Sequence, residues 1–142
     1  MEAVVNKWLT AFRNVDTYFN RAIIENREEI LDLNVAQLKQ GKDSLGRFLE
    51  EYASEDYAQF KQAMGSQAPF GVADLILEGN FTEGYVLRKE GREFRFDSTD
   101  EKRDKLVQMY GEEIFGLSAE SQVNITPDLA ESFLKHFRNG LL

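Results

Sequence analysis

The stretch that decides the fold runs from Ala73 to Tyr85 and reads ADLILEGNFTEGY. It contains an apolar run, a turn broken by Gly79 that carries the aromatic Phe81, and a second apolar run that begins at Tyr85. Glycine marks turns between apolar segments of this kind. No residue pattern in the stretch is typical of catalysis. Taken with the hairpin that follows and the segment Ile114–Ser118, the stretch predicts a structural or assembly domain of mixed α and β structure.

The composition fits one domain that has a core of its own. The 142 residues are 42% hydrophobic and include 11 Phe, 5 Tyr and one Trp. A domain of this length hides roughly two-thirds of its unfolded surface, so it needs no disulfide or metal to fold. There is no cysteine, which removes disulfides, thiolate nucleophiles and cysteine metal ligands.

The net charge argues against electrostatic binding of nucleic acid. The formal net charge is −8, the same sign as a phosphate backbone. The first eight residues, MEAVVNKW, lack the basic patch and apolar core of a signal peptide. No run approaches the roughly 20 apolar residues that span a bilayer. We therefore expect a protein made in the cytoplasm, with no membrane partner.

The N-terminal third predicts a long helix followed by a strand. Apolar residues recur every three or four positions from Val4 to Ile23, which predicts an amphipathic helix from about Glu2 to Glu29. Leu31, Leu33 and Val35 then alternate with polar or small residues, which predicts a strand. The far end of so long a helix can lie on a neighbouring molecule, or the helix can pack across its own sheet.

The middle of the chain predicts turns and one short helix. Gly41–Gly46 (GKDSLG) is a turn, and a short strand near Arg47–Leu49 is expected to pair back. Ser54 is expected to cap a helix that carries the segment Tyr57–Met64. Gly65–Gly71 is a loop.

The last third predicts a hairpin and two helices. Tyr85–Leu87 and Glu93–Phe96 flank a turn and predict a β-hairpin. Ser98 and Glu101 have capping-box spacing for a helix that ends at Gly111. Thr126 and Pro127 predict the cap and first position of the last helix.

Together these elements predict one α+β domain over residues 1–142. It comprises a long N-terminal helix over 1–30, an α+β core over 31–121 with a small antiparallel sheet of hairpins and short helices, and a C-terminal helix over 122–142.

Candidate chemistry is sparse. His136 is the only histidine and has no nearby nucleophile in the sequence, so a structural or surface role is favoured. The acidic cluster Asp97–Asp104 lacks the glycine and spacing of an EF-hand, and helix capping explains it without an ion. Paired glutamates, such as Glu112 and Glu113, do not face each other on a helix, which favours a solvated face. We predict no catalytic residue, no cofactor and no metal site, and hence a protein that is not an enzyme.

Basic residues crowd the hairpin and the helix after it, and acidic residues nearly cancel their charge. This pattern favours an interface of complementary ion pairs over phosphate binding. The basic set is Arg88, Lys89, Arg92, Arg95, Lys102, Arg103 and Lys105.

The order of these segments carries a family resemblance over about Leu31 to Ser121. After the long helix come the turn Gly41–Gly46, the segment Tyr57–Lys61, the run Leu75–Phe81, a hairpin, DSTD at 97–100 and IFGLS at 114–118. In this order the chain resembles the virion morphogenesis and tail-completion proteins of tailed bacteriophages, particularly small head–tail connector or neck components. It departs from them at Gly84, where serine is frequent, and at Glu78, where threonine is.

The resemblance implies a non-enzymatic ring subunit located between portal and tail. The implied partners are copies of the chain itself in a homo-oligomeric ring, the portal and the tail proteins. The implied location is the virion, assembled in the host cytoplasm. DNA would pass nearby without specific binding, and an acidic lining would repel its phosphates.

The residues expected to make these contacts come from three regions. Ordinary core packing is the alternative for Trp8, Phe12 and Phe115. The full set is Trp8, Phe12, Phe19, Arg88, Arg92, Arg95, Phe115 and Leu117.

A second class of function stays open. The chain also fits a stand-alone protein-binding module or inhibitor, such as a host-directed regulatory or anti-defence protein. A small hydrolase is a distant third, because the chain has one histidine, no cysteine and no nucleophile motif.

Overall fold

The computed structural model of the protein describes residues 2–76, 80–91 and 93–142. Within these ranges the chain forms helices and one two-stranded antiparallel sheet. The predicted α+β class is confirmed. The chain divides into a terminal unit, Met1–Glu29 with Val123–Leu142, and a central unit, Ile30–Gln122. The prediction of a single domain stays a prediction.

The predicted N-terminal helix is present but interrupted. It comprises α1 (Glu2–Arg13) and α2 (Val15–Glu25), and α3 (Arg27–Lys39) follows. At both interruptions, Asn14 and Asn26, the backbone N–H still bonds to the carbonyl four residues earlier. The Asn26 side chain also donates to the Ala22 carbonyl at 2.8 Å. Asparagine competes for backbone partners in this way, which explains the second interruption, at Asn26.

The predicted strand at Leu31–Val35 is wrong, because these residues belong to α3. The buried positions of α3 are Ile30, Asn34, Gln37 and Leu38, which recur at helical spacing. Two of these four buried residues, Asn34 and Gln37, carry amide side chains. The spacing of the apolar residues alone therefore does not reveal the helical period. The alternation at 31–35 is incidental to the helix.

The turn at Gly41–Gly46 is confirmed and is organised by Asp43. Its Oδ1 accepts the N–H groups of Leu45 and Arg47, both at 2.9 Å. The predicted strand at Arg47–Leu49 is reduced to one isolated bridge between Lys42 and Phe48. Helix α4 (Glu55–Ala63) follows, and the predicted cap is confirmed: Ser54 Oγ accepts the N–H of Tyr57 at 3.3 Å.

The predicted hairpin is confirmed and forms the sheet. A short helix, α5 (Asn80–Glu83), leads into β1 (Tyr85–Glu90), which pairs with β2 (Glu93–Ser98). The register runs from the pair Tyr85 and Ser98 to the pair Glu90 and Glu93, which leaves a two-residue loop. Gly91 in that loop has a φ of 62°, a value that glycine adopts without strain.

Two predicted helix starts are wrong. Helix α6 (Arg103–Tyr110) begins after Lys102, whose N–H is accepted by Asp100, so Ser98 and Glu101 form no capping box. Ser98 instead donates to the Phe81 carbonyl at 3.1 Å. The predicted end at Gly111 is confirmed.

Helix α7 (Ala119–Gly140) follows a 3-10 turn at Glu112–Ile114 and contains Pro127 in its interior. It therefore begins well before the predicted start at Thr126. Ser118 accepts the Ser121 N–H at 3.3 Å at its beginning.

The core of the central unit draws on nearly every element of that unit. Phe81 and Ile114 are among its most completely buried side chains. Leu75 is also buried although its backbone has a φ of 54°, in the left-handed region that favours glycine. The buried cluster is Leu38, Leu49, Ala73, Leu75, Phe81, Tyr85, Leu106 and Ile114.

Candidate interaction surfaces

The first helix carries an apolar stripe that faces solvent. Positions 4, 5, 8, 9 and 12 lie on one side of α1 because they are spaced three to five residues apart or adjacent. Each of these side chains is between 44% and 61% exposed. Ala11 is the one residue of α1 that is buried among those described. We call Val4, Val5, Trp8, Leu9 and Phe12 the α1 stripe.

The stripe rests along one edge on the aromatic rings of α7. The Phe137 ring centroid lies 5.9 Å from both Trp8 and Phe12 and 6.2 Å from Tyr18. Phe133 lies 6.1 Å from Phe137 and 6.5 Å from Phe19. Ring pairs at these separations attract one another beyond simple burial. Trp8, Phe12 and Phe19 therefore combine partial packing with a large exposed area.

Polar contacts in the terminal unit lie beside these rings. His136 Nε2 lies 2.7 Å from a Glu25 carboxylate oxygen, which gives the lone histidine a partner on α2. Asn26 donates to Ser132 Oγ at 3.0 Å. A hydrogen bond with Asp128, aided by burial and by the Asp128 charge, raises the pKa of Glu29. These contacts tie α7 to the N-terminal helices.

The hairpin arginines engage carboxylates of their own chain. Arg88 and Arg95 lie directly opposite each other in the register. Arg88 pairs with Asp97 at 3.5 Å and Arg95 pairs with Glu90 at 3.4 Å, both on the exposed side of the hairpin. Arg92, the third predicted contact residue here, lies outside the described residues. Exposed pairs of this kind add little stability, so they remain free to exchange partners.

Asp97 is the charged centre of this region. Burial raises its pKa, but the Arg103 hydrogen bond at 2.6 Å, the Ser98 N–H, and the charges of Arg103 and Arg88 outweigh burial and lower it. A cavity of about 190 Å³ lies here, between the hairpin and Phe115. In the acidic cluster, Asp97 and Asp104 pair with Arg103 and Asp100 accepts the Lys102 N–H, although the predicted capping box does not form.

Phe115 and Leu117 lie at the edge of the central core and are half-buried. The Phe115 ring lies 5.3 Å from Tyr85 and 6.1 Å from Phe81, and the Arg103 guanidinium lies 5.6 Å above it. The Leu117 carbonyl accepts from Gln122 at 2.9 Å. Both residues help hold the IFGLS segment, and each leaves part of its side chain accessible.

Two amides of α3 hold that segment by its backbone. Asn34 donates to the Ile114 carbonyl at 3.1 Å and accepts the Gly116 N–H at 2.8 Å. Gln37 donates to the Gly116 carbonyl at 2.9 Å and accepts the Ser118 N–H at 2.8 Å. Each amide thereby bonds to backbone N–H and carbonyl groups that would pair with a neighbouring strand in a sheet. We call this arrangement the amide clamp.

A buried ion pair joins the segment Tyr57–Lys61 to the stretch that begins at Ala73. Lys61 Nζ lies 2.8 Å from Asp74 Oδ1, with the two side chains 11% and 4% exposed. The Lys61 ammonium also donates to the Ile76 carbonyl at 2.8 Å, and Ser66 Oγ donates to Asp74 at 2.8 Å. Tyr52 lies 3.4 Å from the same carboxylate, and burial is the main cause that raises its pKa. A buried pair with this many partners is satisfied, and it fixes the loop to α4.

Neither the amide clamp nor the ion pair was predicted as a unit. Gln37 and Asn34 were hidden inside the mistaken strand. The contact between Lys61 and Asp74 was not predicted, because loop 65–71 separates the two residues in the sequence. Helical spacing of amides on α3 is the signal that could have revealed the clamp.

An apolar groove opens on the central unit beside α6. Its volume is about 390 Å³. The Tyr52 and Tyr57 rings meet edge to face at 4.9 Å on one side, and Met109 is 52% exposed. We call it the tyrosine groove, and its lining is Tyr52, Tyr57, Leu75, Leu106, Met109 and Tyr110, with Lys102 and Lys105.

Within the described ranges no cluster of three potential metal ligands occurs. Among the described helices, none is both long and apolar enough to span a bilayer. Comparison with protein-family models, with curated proteins and with solved structures found no match.

Proposed function

We propose that the protein is a non-enzymatic structural component of a tailed-phage particle. In this proposal it is a neck, head–tail connector or tail-completion ring subunit that joins portal and tail. The proposal places it in the virion, with other copies of itself, the portal and the tail as partners.

The observation that carries the proposal is the α1 stripe. Single exposed apolar residues are ordinary on protein surfaces, but a continuous stripe with two large aromatic rings is not. Tryptophan and phenylalanine are enriched where proteins contact proteins. The apolar side chains of the stripe are about half exposed, and contact with a partner would bury the rest of their surface.

The arrangement of the motif segments supports a framework role. The polar groups of these segments bond mainly to backbone or to each other, through Asp43, the amide clamp and the buried ion pair. Ser44 also donates its N–H to the Glu113 carbonyl at 2.7 Å, which joins the first motif turn to the last motif segment. Such bonds define a rigid shape that presents a surface.

The charge balance agrees with a position near a DNA channel. With a net charge of −8, the surface repels phosphates and lets DNA pass without adhering. Placement of the acidic side chains at subunit interfaces, away from the channel, would contradict this part of the proposal.

Deletion of the gene from its phage tests the proposal. We expect DNA-filled heads without tails by electron microscopy, and we expect mass spectrometry to find the protein in purified wild-type particles. A Trp8→Ser/Phe12→Ser allele should fail to restore tailed particles, because it removes the stripe. Leu45→Ser is the matched control, because Leu45 is 64% exposed but lies outside the stripe. Normal infectious particles from the deletion strain would refute the proposal.

The stripe also fits a stand-alone binding module or inhibitor aimed at a host protein. That function is favoured if the protein is absent from particles and co-purifies with one host protein. Under it, the Trp8→Ser/Phe12→Ser allele would lose the host partner while particle morphology stays normal.

A further inference from the structure

Each copy of the chain presents both a projecting apolar surface and a recessed one. The α1 stripe projects from the terminal unit with its rings half exposed. The tyrosine groove is recessed into the central unit and has a volume of about 390 Å³. That volume lies in the range of pockets that enclose small organic ligands, so it can receive aromatic side chains.

We infer that the α1 stripe of one copy docks into the tyrosine groove of a second copy. This inference specifies the subunit contact of the ring and rests on the proposed function. The contact is heterologous, because the two faces differ. A contact of this kind leaves a free stripe and a free groove at the ends, so it repeats, and it forms a ring where the rotation between successive copies closes.

The area of the stripe supplies part of a subunit contact. Aromatic side chains bury roughly 150–250 Å² when fully enclosed and the three aliphatic side chains of the stripe are smaller, so five that are about half exposed offer at most on the order of 500 Å². A stable interface buries about 800 Å² on each partner. Phe19 and Ile24, which are also exposed in the terminal unit, enlarge the apolar area toward that value.

The chemistry of the two faces is complementary. Lys102 and Lys105 line the groove, and their ammonium groups suit the ring faces of Trp8 and Phe12. Asp16 is exposed and follows Phe12 by four residues, so it brings a carboxylate toward the same lysines. Lys7 and Arg13 flank the stripe, about 60° from Val4 and about 40° from Leu9 around the helix, so they lie at the margins of this contact.

Disulfide trapping tests the inference, and the natural chain has no cysteine to interfere. Phe12→Cys and Met109→Cys are made as separate full-length proteins, mixed at high concentration and oxidised. A disulfide between them can form only between two copies. The matched control mixture pairs Phe12→Cys with Leu45→Cys, whose position is as exposed but lies outside the groove.

We expect the Phe12→Cys and Met109→Cys mixture to give roughly tenfold more linked heterodimer than the control, because docking raises the local thiol concentration. Lys102→Glu with Lys105→Glu in the Met109→Cys protein should reduce that yield. Equal yields in both mixtures would overturn the inference. Predominant Phe12→Cys self-dimer would also overturn it, since that outcome indicates a symmetric stripe-to-stripe contact.

The two proposals fail separately. If the protein is found in tailed particles and its deletion removes tails, but trapping is negative, the docking inference fails and the proposed function stands. If trapping is positive but particles form normally without the gene, the copies associate through these faces and the proposed function fails.

Discussion

The two units of the molecule differ in the polar groups that they bury. The central unit buries an ion pair and two amides, and among the described side chains no buried nitrogen or oxygen lacks a partner. Both units leave aromatic rings about half exposed, but in the terminal unit Trp8 and Phe12 lie with three aliphatic side chains on one side of a single helix. The buried polar network fixes the shape of the central unit from within. The α1 stripe of the terminal unit is a surface that is stabilised when a partner covers it.

Breaking the buried ion pair should give the largest effect. Asp74→Asn keeps the side-chain volume but leaves the Lys61 ammonium buried without its counterion. We expect the free energy of unfolding to fall by about 3–5 kcal/mol in denaturant titrations. Adding Lys61→Met should recover part of the loss, because no buried charge then remains.

Glu90→Gln is the control for that variant, since it breaks the exposed pair with Arg95. We expect a change within about 0.5 kcal/mol. Equal losses from Asp74→Asn and Glu90→Gln would show that the central unit does not depend on its buried charges.

Removing one half of the amide clamp should give the next effect. Gln37→Ala leaves the Gly116 carbonyl and the Ser118 N–H without their partners, so we expect a loss of about 2–3 kcal/mol. The amide proton of Ser118 should also exchange faster. Gln40→Ala, three residues along and exposed, should stay within about 0.5 kcal/mol. No loss of stability in Gln37→Ala would show that Asn34 and the packing of Phe115 are enough to hold the segment.

In the terminal unit, Phe137→Ala should cost about 2 kcal/mol, because this ring contacts Trp8, Phe12 and Tyr18 but is only partly enclosed. Trp8 is the only tryptophan, so its fluorescence reports on this cluster. We expect a red shift in Phe137→Ala and none in Val123→Ala, which changes an exposed residue of the same helix. An unshifted spectrum would mean that the rings do not shield Trp8.

Acid should weaken the hairpin region through Asp97. Its pKa is lower in the folded protein, so its contribution is complete above the usual aspartate value of about 4 and is lost as pH falls through the folded value. We expect the stability difference between wild type and Asp97→Asn to shrink below about pH 4. A difference that stays constant with pH would rule out ionised pairs with Arg103 and Arg88.

The smallest effect should have the opposite sign and lie in the terminal unit. The pKa of Glu29 is raised, so its contribution is present at acid pH and is lost as pH rises through the raised value. NMR titration should show the carboxyl of Glu29 titrating above its usual range, and Asp128→Ala should bring it back. An unchanged titration in Asp128→Ala would remove the pairing as the cause.

The sequence predicted those parts of the fold that depend on local signals. Ser54 caps its helix, Gly111 ends another and the hairpin forms, because turn and capping chemistry act over a few residues. The strand at 31–35 was wrong because the buried face of α3 uses Asn34 and Gln37, whose partners lie some 80 residues away.

The same distinction applies to the candidate surfaces. The spacing of Trp8, Phe12 and Phe19 predicted an apolar helical side as a contact surface, but spacing cannot show whether that side is covered. For Phe115, the ring contacts with Phe81 and Tyr85 depend on three separate segments meeting. The tyrosine groove was not predicted, since Tyr52 and Met109 are brought together only by the tertiary fold.

The backbone conformation and burial of Leu75 limit which residues position 75 can accept. Its backbone conformation favours glycine, whereas its enclosed position requires a large aliphatic side chain. A glycine would relax the backbone and open a void, and a β-branched residue would fill the space but resist the required dihedral angle. Homologous sequences should therefore keep leucine at position 75.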